Sequence, residues 1–150
     1  MPRVLPVALL ALALGATGCR TEEPKLPASC RDQPERLAAA LRVAPAPVRL
    51  SDGTRLSTCL QRARSEAELQ DVGITFTQVA DALATRLPHS DSAALQLGYL
   101  IAAARRGAAR TNGVGLELQR RLEQSVGLDG PPPARRAAFE RGDAAGRHNG

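Results

Sequence analysis

Aromatic residues are scarce in this chain: Phe76, Tyr99 and Phe139 are the only three, and tryptophan is absent. Proteins that bind single-stranded nucleic acid stack the bases on aromatic side chains, which three scattered residues do not supply. The formal charge is +5, but Lys25 is the only lysine among 20 basic residues. Such an arginine bias reflects a GC-rich genome better than a clustered basic surface. We therefore expect no nucleic-acid partner.

Patterns that carry enzymatic chemistry are missing as well. The chain has two histidines and contains no phosphate-binding loop, dinucleotide-binding, zinc-protease or EF-hand motif. His89, Ser90 and Asp91 are adjacent, but a catalytic triad is assembled in space from separate segments, and neighbouring residues generally cannot adopt its geometry. The sequence therefore predicts no catalytic residue, no cofactor and no metal ion, and we expect the protein not to be an enzyme.

The first twenty residues, MPRVLPVALLALALGATGCR, have the three-part layout of a secretory signal. Arg3 supplies the positive charge, residues 4–14 are apolar, and residues 15–18 are small. The apolar run is shorter than the ~20 residues that a transmembrane helix requires. We therefore predict that residues 1–18 are a signal peptide and that the protein is exported.

The residues around Cys19 resemble the lipobox of bacterial prolipoproteins, in which small or apolar residues precede an obligatory cysteine. Ala16, Thr17 and Gly18 occupy those positions, although the first of them is Leu in the preferred lipobox. The resemblance implies diacylglycerol on the Cys19 thiol, cleavage after Gly18 and acylation of the new amino terminus. It also implies anchoring at the outer face of the cytoplasmic membrane, with residues 19–29 as a lipidated, flexible tether. The alternatives are an ordinary secretory signal that is cleaved nearby and a cytosolic protein with an apolar start.

Three cysteines are an odd number for an exported protein, and such a number needs an explanation. If lipid occupies Cys19, then Cys30 and Cys59 remain in an oxidising compartment, where a pair usually forms a disulfide. Free thiols and a metal site are the alternatives, and the metal site is disfavoured because no further ligand lies at suitable spacing. We predict a Cys30–Cys59 disulfide.

Ala and Leu dominate the apolar residues, which favours an all-α domain. We predict a small antiparallel bundle of about four helices over residues 30–127. The first helix is expected near 32–43, the second over 57–87, the third from a cap at Ser90 or Asp91, and the last over 114–126. Gly73 indicates a kink or a close helix crossing. The Asp52–Gly53 pair predicts either a short β-hairpin over residues 48–57 or an ordered turn.

Two further segments carry alternatives. Ala94, Gly98 and Ala102 are small and spaced by four, which favours close packing in a soluble bundle over association in a membrane. RRGAARTNGVG, which begins at Arg105, either holds a phosphate or is a helix end whose basic side chains interact favourably with the helix dipole, and we prefer the second interpretation.

Residues 128–150 are rich in Pro, Gly and charge, so a disordered tail is predicted, with at most a short helix over residues 134–141.

Residues 48–110, which include DGTRLSTCLQRAR and LGYLIAAARRGA, are similar to small, uncharacterised, exported helical proteins of GC-rich Gram-positive bacteria. That resemblance implies no known activity. Together with the lipobox, this resemblance leads us to expect a membrane-anchored envelope lipoprotein that is held in the membrane by lipid on Cys19. We expect it to act as a non-enzymatic interaction module for another envelope protein or a wall polymer. The alternative is a module that binds a small ligand or an anionic polymer.

Overall fold

A computed structural model describes residues 25–150 except Asn112, Val114 and Leu128. The predicted signal peptide and the lipidation site at Cys19 lie outside these residues. The described chain is all-helical, with the α-helices Pro34–Ala40 (α1), Leu56–Arg62 (α2), Glu66–Arg86 (α3), Asp91–Ala108 (α4), Leu116–Gln124 (α5) and Pro133–Asn149 (α6). This confirms the prediction of a helical bundle, which has more helices than expected. None of the described helices combines the length and apolar character needed to cross a bilayer.

Helix α4 is the centre of the bundle. Its residues 93 and 94, 97–104, 107 and 108 are all buried, and α2, α3, α5 and α6 all pack against it. The Ser90 side chain accepts a hydrogen bond from the backbone N–H of Ala93 and so caps the first turn. Of the two predicted caps, Ser90 and Asp91, the structure shows Ser90 in that role.

The predicted 57–87 helix is two helices, because a local capping motif interrupts it. Ser65 accepts a hydrogen bond from the Glu68 backbone N–H, and the Glu68 carboxylate accepts one from the Ser65 backbone N–H. This reciprocal capping box satisfies donors that would otherwise lack partners and starts α3 at Glu66. Along α3, buried residues recur with helical spacing and face α4 and α1, and they include Val72, Phe76, Val79 and Leu83.

The prediction of a disordered tail over residues 128–150 is wrong for its larger part, because Pro133–Asn149 forms α6 and packs along α4. The contact is made by small residues. A Cβ atom added to Gly142 would lie 2.7 Å from the Leu95 carbonyl carbon, and one added to Gly98 would lie 3.1 Å from that of Phe139. Glycine at these positions lets the two backbones approach closely. This confirms the prediction that the small residues of α4 allow close packing against a neighbouring helix.

The amino-terminal part of the domain begins earlier than predicted. Leu26 and Ser29 are buried, so this part of the predicted tether belongs to the folded domain. Cys30 and Cys59 form the predicted disulfide, with their Cα atoms 5.4 Å apart. The bond joins the 3₁₀ turn Ala28–Arg31 to α2.

Residues 48–55 form an ordered turn that leads into α2, and no strand occurs anywhere in the described chain. The Leu50 and Thr54 backbones are joined by a 2.9 Å hydrogen bond, and Gly53 adopts a φ of +83°, which favours glycine. Ser29 donates a 2.7 Å hydrogen bond to Asp52 at the tip of this turn. The hairpin alternative is therefore wrong, since the two arms are too short to pair beyond the turn itself.

Candidate functional site

The residues that the sequence singled out for chemistry have structural roles. Cys30 and Cys59 are bonded to each other and buried. Ser90 caps α4, and Asp91 forms an ion pair with Arg135 of α6 at 2.9 Å. His89 is exposed in a 3₁₀ turn that precedes this cap. These contacts account for the Ser, Asp and His cluster without any reaction.

The basic segment at the end of α4 also serves the fold. Arg105 forms ion pairs with Glu123 of α5 and with Asp143 of α6, at 2.9 and 3.1 Å. Arg106 donates hydrogen bonds to the carbonyl oxygens of Arg147 and His148 in the last turn of α6. Arg105 thus links three helices, and Arg106 satisfies carbonyl groups that a helix end leaves without partners. The preferred interpretation, a basic helix end, fits this geometry.

Three groups of the described residues have clearly shifted pKa values, and each shift follows from packing or hydrogen bonding. Hydrogen bonds from Thr54 and Ser29 lower the pKa of Asp52 to about 2. The backbone N–H of Arg64, with that of Ser65, lowers the pKa of Glu68. Burial raises the pKa of Tyr99, whose hydroxyl accepts a 3.0 Å hydrogen bond from the Val48 backbone. These groups belong to different contacts and do not converge in a cleft.

A groove of about 640 Å³ runs between α3 and α5. Its apolar floor comes from Leu69, Gly73 and Ile74 of α3 and Leu118 of α5. Gly73 faces Leu118, and a Cβ atom added there would lie 3.7 Å from Leu118 Cδ1, which is an ordinary van der Waals distance. The sequence indicated a kink or a close crossing at Gly73, and in the structure α5 packs on α3 there, without an approach so close that glycine is required.

Ile74 gives the groove an exposed apolar surface. Half of its surface is accessible, although α3 otherwise directs its large apolar residues inward. The other large apolar side chains that are exposed in the described chain, Val43 and Leu116, do not line the groove. A second cleft of about 270 Å³ lies between α1 and α3, beside Ala38 and Leu83.

Charge is unevenly distributed in the middle of the chain. Residues 41–65 contain five arginines and a single acid, Asp52, whereas residues 66–81 contain four acids and no base. Arg31 forms ion pairs with two of those acids, Glu68 and Asp71, at 3.2 and 3.5 Å. Glu66, at the edge of the groove, has no ion-pair partner among the described residues. The α3 side of the groove therefore keeps unneutralised negative charge.

Comparison with known proteins adds no relative: the chain matches no protein-family model, and no curated protein or solved structure is similar to it. Within the described residues, no group of three or more His, Cys, Asp or Glu side chains is arranged to hold a metal ion.

The groove was not predicted from the sequence, because helical spacing identifies the residues of α3 that face inward and Ile74 lies outside that set. Ile74 is half exposed and lies between Val72 and Phe76, which are both buried. A large β-branched residue on the otherwise polar face of α3 was the available signal. On α5 the groove is lined by Leu118, which is itself buried.

Proposed function

We propose that the protein is a membrane-anchored envelope lipoprotein whose helical domain binds an amphipathic helix of another envelope protein in the α3/α5 groove. The observation that carries the interaction is the apolar groove with Ile74 half exposed on it. The lipid anchor is supported by the lipobox-like residues that end at Cys19. The disulfide is of the kind found in exported proteins.

The shape of the groove favours a helix as its occupant. Two packed helices leave a linear depression between them, and an amphipathic helix can insert apolar residues at positions i, i+3 or i+4, and i+7 into such a depression. Leu69 and Ile74 of α3 and Leu118 of α5 would meet those residues. Gln70 and Thr77 lie at the edges, where they can pair with the polar groups of the occupant.

The charge of the groove indicates the chemistry of the partner. Glu66 is unpaired among the described residues, and Glu117 is shared by Arg120 and Arg121 on α5. A partner helix with Lys or Arg beside its apolar stripe would complement the α3 edge, and an acidic helix would be repelled. We therefore assign a basic amphipathic helix as the occupant.

The anchor is tested by cell fractionation of the Cys19→Ala variant. If lipid on Cys19 holds the protein, the variant moves to the soluble fraction, while the wild type stays with the membrane after a high-salt wash. Two or more acyl chains bind stably, whereas one chain binds only reversibly. A Cys19→Ala protein that remains on salt-washed membranes would contradict the anchor.

The groove is tested by placing a photo-crosslinking amino acid at Ile74 in the intact envelope, with Val43 as the matched position. Both side chains are large, apolar and about half exposed, but only Ile74 lies in the groove. We expect one defined adduct at Ile74, with the crosslinked peptide mapping to a basic amphipathic helix, and no equivalent adduct at Val43. A crosslink to a second copy of this chain, to an acidic segment or equally at both positions would refute the assignment.

A further inference from the structure

Two arginines contact the last turn of α6, and a third directly precedes α2; we call these three the basic end, defined as Arg49, Arg55 and Arg106. Arg49 donates to the Asn149 carbonyl oxygen at 3.4 Å, and Arg106 donates to the carbonyl oxygens of the two preceding residues. Arg55 lies two positions before Ser57 in the chain. The Ser57 hydroxyl donates a 2.8 Å hydrogen bond to the Gly150 carbonyl oxygen. All three guanidinium groups act electrostatically on the buried hydroxyl of Tyr99.

The basic end keeps positive charge and donors for an external ligand. None of its three arginines forms an ion pair with another described residue. A guanidinium has five N–H donors, and the contacts of Arg49 and Arg106 with the described backbone all use one nitrogen of each. The nearest acid on α6, Asp143, is already shared by Arg105 and Arg147.

The amino-terminal segment contacts the turn that lies between two of these arginines. Arg49 and Arg55 flank the closed turn of residues 50–54, and Ser29 is bonded to Asp52 at the tip of that turn. From Lys25, which is exposed, six residues lead back to Cys19 and span at most about 20 Å. A lipid on Cys19 would therefore hold the turn and its two arginines near the membrane surface.

We infer that the basic end docks on the anionic lipid headgroups of the membrane in which Cys19 is anchored. This inference rests on the proposed lipid anchor and adds an orientation to it. The basic end would face the bilayer. The groove is lined by α3 and α5, and α3 packs on α4 but has at most a marginal contact with α6. Lipid chains and basic residues together form the two-signal attachment that stable membrane binding commonly uses.

The test uses the mature chain, residues 19–150, with Cys19→Ser so that no lipid contributes. Sedimentation is measured with vesicles of pure phosphatidylcholine and with vesicles in which one-third of the lipid is phosphatidylglycerol. We expect binding to the anionic vesicles only, and its loss as salt rises from about 0.1 M to 1 M, because the Debye length shrinks from about 10 Å to 3 Å.

The residue assignment is tested with Arg49→Gln combined with Arg55→Gln, which should weaken binding to anionic vesicles by about 25-fold, since each surface guanidinium contributes about fivefold. The matched control combines Arg86→Gln with Arg136→Gln, which removes the same charge. Both control residues are exposed, one at the end of α3 and the other in the first turn of α6. Circular dichroism of both double variants verifies that each remains folded.

Equal loss in the two double variants, or equal binding to neutral and anionic vesicles, would overturn the inference. Binding to soluble polyglycerol phosphate without binding to anionic vesicles would assign the basic end to a wall polymer and would also overturn it. None of these results bears on the lipid anchor, because the vesicle assay uses unlipidated protein. Failure of the anchor is seen separately, in the fractionation of Cys19→Ala.

Discussion

Residues 26–63 and residues 133–149 both pack on α4, but different interactions hold them there. The first region contributes large apolar side chains, including Leu41, Leu56 and Leu60, and carries the disulfide. The second contributes mainly Gly and Ala, with Ala138, Gly142 and Gly146 buried. Side chains fill the space in the first region, and in the second the two backbones come close enough that little space remains.

The contrast shows that a segment poor in large apolar residues can still be part of a folded domain. Three ion pairs connect α6 to the rest of the bundle or stabilise the helix itself, and Arg49 and Arg106 cap its last turn. Close approach of the two backbones brings many atom pairs into van der Waals contact. Each dispersion contact is weak, but together they stabilise the packing. Such a region should tolerate loss of charge better than the addition of one methyl group.

The largest expected effect comes from removing the covalent link in the first region. Replacing Cys30 and Cys59 together by Ser should lower the free energy of unfolding by about 3.5 kcal/mol, since the bridge closes a loop with a sequence separation of 29. The measurement is urea denaturation under non-reducing conditions. If the two regions are held independently, hydrogen exchange should increase over residues 26–63 more than over α6. An equal increase in both would refute that independence.

The next largest effect is expected in the second region, from the substitution Gly142→Ala. The added methyl group would overlap the backbone of Leu95, which cannot move aside as a flexible side chain does. We expect a loss of about 2 kcal/mol, typical of overpacking, with new proteolytic cleavage at Arg136 and Arg141 as α6 separates from α4.

The control for this change is Gly73→Ala on α3, where the nearest atom to the new methyl group is 3.7 Å away. Alanine is the better helix former by about 1 kcal/mol, so this variant should be as stable as the wild type or more stable. If both substitutions destabilise the protein equally, close backbone approach does not explain the second region.

The smallest effect concerns a single hydrogen-bonded acid in the first region. Asp52→Ala should cost about 1 kcal/mol at neutral pH, because Ser29 and Thr54 lose their acceptor. The folded-state pKa of Asp52, about 2, lies below its ordinary value of 3.8, so its contribution is present above pH 3.8. The difference between variant and wild type should therefore vanish as the pH falls from about 4 to about 2.

The matched change is Asp81→Ala, an exposed acid whose side chain has no hydrogen bond to the described residues. Its effect on the unfolding free energy should be close to zero across this pH range. A pH-dependent difference of equal size in both variants would contradict the role of the turn at Asp52.

Apolar spacing and the cysteine count made the helical core predictable. The spacing of apolar residues over 57–87 predicted a helix that contains α3, and the odd number of cysteines indicated the Cys30–Cys59 bridge. The boundary at Ser65 was missed, because a capping box is a hydrogen-bond motif that leaves the apolar pattern unbroken. The second region was missed because Gly142 and Gly146 reduce the helix propensity of an isolated chain. Their spacing by four matches that of Ala94, Gly98 and Ala102, and pairing the two sets would have predicted α6.

The candidate site was less accessible to sequence reasoning than the fold. The groove exists because part of the α3 surface is not covered by a neighbouring helix. The length and placement of α5 decide which part of α3 stays uncovered. The basic end depends on three arginines that are separated by up to 57 positions in the chain. Their meeting point is set by the docking of α6, which the sequence did not predict.

The scarcity of aromatic residues gives the molecule a useful optical property. Tyr99 is its only tyrosine and tryptophan is absent, so tyrosine fluorescence reports on one place, the contact between α4 and Val48. The phenol is fully buried there, and burial raises its pKa. A rise in absorbance from tyrosinate at alkaline pH would therefore mark the separation of this contact, without any engineered label.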